Sequence, residues 1–91
     1  MSRDGVVKFE RDAQGQMTIV LLVHGVPIAR SGSVLNIAAE VAFRDLDSLY
    51  FNEALVVSVP TDKATLARAA NASLAPPEAA SAVELISACA W

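Results

Sequence analysis

Few residues of this chain could do chemistry. The 91-residue sequence holds one histidine, His24, and one cysteine, Cys89. His24 closes an apolar run in "TIVLLVHGVP" (18–27). Asp45 and Asp47 stand close enough in sequence to raise paired-carboxylate acid–base work. "SGS" (31–33) has small residues of the kind that cradle a phosphate.

The first of these segments resembles the strand-HGxP loop of α/β-hydrolases over about ten residues, and implies an oxyanion-hole role for the loop at His24. No G-x-S-x-G nucleophile elbow accompanies it. The lone histidine would belong to the oxyanion loop, leaving no catalytic base. A hairpin turn accounts for the same residues, since His tolerates turn conformations and Gly supplies the bend. Asp45 and Asp47 have no assignable partner acid, base or metal ligand. "SGS" lacks the lysine of a phosphate loop and has one glycine. Cys89 falls on the apolar face of a helix and reads as a small core residue. With one cysteine there is no intrachain disulfide and no Cys/His zinc cluster. The expectation is a protein that is not an enzyme, with no cofactor and no metal.

A chain of this length is one domain, residues 1–91, split into a sheet plus helix (1–60) and a helical hairpin (61–91). The composition is 54% hydrophobic and 19% charged, which is that of a folding chain. Aromatics are only 5%, so the core rests on Val, Leu, Ile and Ala. The high apolar content of so short a chain predicts surface shared with a partner or a second copy. The formal net charge of −3 argues against direct nucleic-acid binding and agrees with a basic protein partner. The first fifteen residues carry no apolar signal core, and the longest apolar run (19–23) is far too short to span a bilayer. The expected compartment is the cytoplasm of a bacterium or of a virus-infected cell.

Hydrophobic period and breakers place the elements. Residues 6–11 alternate as a strand, with Val7 and Phe9 on one side and Lys8 and Glu10 on the other. "DAQGQ" (12–16) is a turn, with Gly15 free to take positive φ. Residues 17–23 form the central strand, "HGVP" a second turn, and 28–30 the start of a third strand. After the N-cap Ser33, Val34, Ile37, Ala38, Val41 and Ala42 repeat at helical spacing to Arg44. Asp45 would fall in that apolar face, so 45–53 reads as a loop. Residues 54–59 are a strand ended by Pro60. A helix capped by Thr61 or Asp62 runs to about Ser73, and a third begins at Pro76 or Pro77. The fold class is α+β: a three- or four-stranded, mainly antiparallel sheet (β-β-β-α-β) with a C-terminal helical hairpin.

The functional residues are then surface residues. Phe43 projects from the polar side of the first helix, and Tyr50 and Phe51 follow in a loop with Asp45, Asp47 and Glu53. Aromatic anchors ringed by carboxylates suit a protein interface that steers a basic partner. The alternative is that Tyr50 and Phe51 fold back over one end of the sheet. On the last helix, Ala79, Ala82, Val83 and Ile86 form an apolar stripe with little sequence left to cover it, and Trp91 could cap the contact. A two-fold pairing through 77–91 would bury both copies' stripes, which predicts a homodimer. Fraying is the alternative for the terminal tryptophan.

"VVKFERDAQGQMTIVL" followed by "SGSVLNIAAEVAFRDL" resembles the front half of HicB-type antitoxins: two strands, then a helix through a polar cap, with Leu35, Ala38, Ala42 and Leu46 at similar intervals and Glu40 between them. That family often ends in a ribbon-helix-helix DNA-binding segment, and "ALVVSVPTDKATLARAANASLAPPEAASAVELISACA" has the matching strand, helix, helix order. Its strand, however, carries no Lys or Arg. In size, charge and architecture the chain also resembles small phage-encoded inhibitors of the anti-CRISPR class. Both likenesses imply a small protein that works by occupying another protein's surface. With the acidic balance and the absent catalytic set, the expectation is a non-catalytic inhibitor on a basic surface of a larger partner, with no membrane and no direct nucleic-acid contact. A ribbon-helix-helix-like regulator and a structural subunit of a phage or bacterial assembly are the alternatives.

Overall fold

The computed structural model describes residues 4–44, 46–52, 55–58 and 63–88. It is α+β. Three strands, β1 (Asp4–Arg11), β2 (Met17–Val23) and β3 (Val26–Ser31), precede helix α1 (Val34–Arg44). Strands β4 (Ser48–Phe51) and β5 (Leu55–Ser58) follow, then helices α2 (Lys63–Ser73) and α3 (Glu78–Ala88). The sheet order is β3-β2-β1-β4-β5, with β1 and β4 parallel and the other neighbours antiparallel.

Local chemistry sets the first two turns. Asp12 Oδ1 accepts from the backbone N–H groups of Gln14 and Gln16, both at 2.9 Å. Gly15 takes φ 81° beside it, which a glycine adopts without steric cost. Between β2 and β3, His24 and Gly25 lie at φ 54° and 77° while Val23 pairs with Val26. Two central residues at positive φ make the tight hairpin whose twist suits antiparallel strands. At the start of α1, the Ser31 hydroxyl accepts from the Ser33 N–H at 3.0 Å and from Asn36 Nδ2 at 3.2 Å. The helix then ends at Arg44, where the apolar spacing in the sequence predicts its end.

Two expectations are corrected. The segment 45–53 is not a loop throughout: 48–51 pair with both β1 and β5. The central strand is β1 rather than β2, because β1 offers one edge to β2 and the other to the returning β4. The resulting sheet has five strands and includes a parallel pair, which α1 makes possible by carrying the chain back to the start of β1.

Alternation divides the sheet into two faces. One face carries Val7, Ile19, Leu21, Leu49 and Phe51 into a core completed by Ile37, Ala38 and Val41 of α1, Ala70 of α2, and Ala82, Leu85 and Ile86 of α3. Helix α1 packs on β2 and β3, α2 approaches β5, and α3 packs against both helices. Helix α3 is thus the middle member of the helical layer. Phe9 joins the core margin by stacking on Phe51, with ring centroids 6.4 Å apart. This cluster takes none of its members from the opposite sheet face, where Val20 is buried separately.

Candidate interaction surface

The segments that raised catalysis serve structure where they are described. His24 forms the β2–β3 turn, and Ser31 organises the start of α1. Among the described residues no group of three or more His, Cys, Asp or Glu side chains could hold a metal ion. No helix among them is long and apolar enough to cross a membrane. Cys89 lies outside the described residues.

The expected partner-binding group divides. Asp47 is exposed, one residue before β4. Tyr50 is half-buried in β4, and Phe51 is wholly buried. Alternation in a strand sends successive side chains to opposite faces, so Tyr50 and Phe51 cannot share a surface. Phe51 is therefore a core residue and not an exposed anchor. Asp45 and Glu53 lie outside the described residues, and Phe43 is described only as part of the α1 backbone.

The expected dimer stripe is also corrected. Ala79, Ala82 and Ile86 are buried within the single chain, with Ile86 at 0% exposure, and Val83 packs half-buried beside them. In space α3 lies between α1 and α2, and these cover it. Trp91 lies outside the described residues.

What faces outward is the sheet side opposite the helices. There the register brings Pro27, Leu22, Val6 and Tyr50 into one row across β3, β2, β1 and β4, with Val56 of β5 paired to Tyr50. Leu22, Val6 and Tyr50 are half-buried and Pro27 is exposed. On one flank the next positions are Asp4, Ser48 and Ser58. On the other they are Arg30, Val20 and Lys8. Arg30 reaches over β2 to Glu10 on β1, Nη1 to Oε2 at 2.9 Å. Val20, paired with Lys8 on one side and Arg30 on the other, is only 2% exposed although it stands outside the helix-side cluster. The alternation of "SLYF" is that of a strand with one buried face, although acids surround it in sequence.

No family model matches the chain, and no curated protein or solved structure matches it either.

Proposed function

We propose that the protein is a non-catalytic inhibitor of the viral anti-defence or antitoxin type, acting in the cytoplasm by occupying a basic surface of a larger partner. The observation that carries this reading is the exposed carboxylate of Asp47 at the start of β4. Asp45 and Glu53 flank the same strand in sequence, in a chain with ten acids and seven bases. An exposed carboxylate where the chain returns to the sheet steers a cationic surface and helps to fix its register. The resemblance to HicB-type antitoxins and to anti-CRISPR inhibitors points the same way. Affinity capture from a bacterial lysate, followed by mass spectrometry and an activity assay on the captured protein, tests the proposal. The expected result is a basic partner whose activity falls on binding, and whose capture weakens for Asp47→Lys. A partner held equally well by the reversed-charge variant would overturn this acidic margin as the contact.

A further inference from the structure

We propose that the sheet face turned away from the helices binds a second copy of the chain, about a two-fold axis lying along the Pro27–Leu22–Val6–Tyr50 row. The argument is one of self-complementary charge. Asp4 and Lys8 stand two positions to either side of Val6, on the same face of β1. Rotation about the row lays Val6 of one subunit over the partner's Val6 and runs the facing strands antiparallel. The same operation exchanges the two flanks, so Asp4 of each subunit meets the partner's Lys8. One symmetry operation therefore covers both apolar rows and makes two opposite-charge contacts. An axis running along β1 would instead set Lys8 over the partner's Lys8 and Asp4 over the partner's Asp4, which repel. Sheets packed face to face sit about 10 Å apart and roughly 30° from alignment, a gap that valine, leucine and tyrosine side chains fill. The Arg30–Glu10 bridge borders the apolar row on the same face. The helical stripe offers no comparable surface, being spent inside each chain. This inference goes beyond the inhibitory role, and Asp47 precedes β4 outside the row.

Sedimentation velocity of the full chain, with circular dichroism to verify folding, tests it. The wild type should sediment as a dimer. Asp4→Lys and Lys8→Asp should each weaken association by at least about tenfold, because each sets like charges together twice in the symmetric contact. The exchange Asp4→Lys/Lys8→Asp should restore the dimer. Tyr50→Lys should give a folded monomer, since its side chain is only half-buried. A wild type that remains a monomer at high micromolar concentration overturns the proposal, including the case in which the face is kept for a different protein. So does a dimer that survives both single reversals and Tyr50→Lys. A folded double exchange that stays monomeric overturns the stated symmetry.

Discussion

Asn52 Oδ1 accepts a hydrogen bond from the backbone N–H of Phe9 at 3.0 Å, while the Asn52 N–H donates to the Val7 carbonyl at 2.8 Å. The residue sits just past β4 at φ 49°, and so prolongs the parallel β1–β4 ladder by its own side chain. Asparagine is among the few non-glycine residues that occupy this region readily. Asn52→Ala loses the acceptor and strains the backbone, and should cost about 1–2 kcal/mol in urea unfolding. Asn52→Gly should recover part of that loss by relieving the backbone alone. Equal losses for the two variants would contradict the backbone contribution.

Gly5 lies where the floor of the sheet meets the chain leaving α1. A Cβ there would stand 2.5 Å from Leu46 Cδ1, 3.1 Å from Leu49 Cδ2 and 3.2 Å from Leu21 Cδ1. All three leucines are nearly or fully buried, so the methyl groups have little room to yield. Gly5→Ala should destabilise by about 1–3 kcal/mol, the usual range for overpacking. Adding Leu46→Val should return part of it, read as a rise in the urea midpoint over the single variant.

Neighbouring aromatics in β4 should respond differently. Phe51→Ala empties a buried site and ends the stack on Phe9, and should cost about 3–5 kcal/mol. Tyr50→Ala should cost well under half as much, because the ring is half-exposed on the opposite face. Thermal melts of the two variants compare them, and similar losses would contradict the assigned faces.

Ile86→Asp reports on the helical layer. It places a carboxylate at a fully buried position between α1 and α2, without a described partner of opposite charge. A cost of several kcal/mol is expected, comparable to the whole stability of a small domain. The variant should lose helical circular dichroism at 25 °C or melt far earlier. A folded monomer of ordinary stability would contradict the burial of this stripe within the chain.

How far the sequence could be read depended on the range of the forces involved. The two turns were legible because Asp12, Gly15, His24 and Gly25 act on their own neighbours. Helix α1 was legible from the spacing of Ile37, Ala38 and Val41 and the interruption at Asp45. Strand β4 was not, because its place in the sheet, between β5 and β1, rests on parallel pairing with residues more than forty positions earlier. The same non-local pairing moved Phe51 from an expected surface to the core. Likewise, nothing local in "EAASAVELISA" says that α3 lies between two other helices. The cross-strand row of Pro27, Leu22, Val6 and Tyr50 is a product of register, so no window of sequence contains it.

The measurement that bears most directly on the inhibitory role is partner binding as a function of salt and of charge at Asp47. From about 0.1 M to about 1 M salt the screening length falls from ~10 Å to ~3 Å. If carboxylates at the start of β4 steer a basic surface, the captured partner's association rate should drop steeply over that range for the wild type. For Asp47→Lys it should be slower at low salt and nearly flat. A wild-type association rate that does not change with salt, or an Asp47→Lys variant that matches it throughout, would contradict the account.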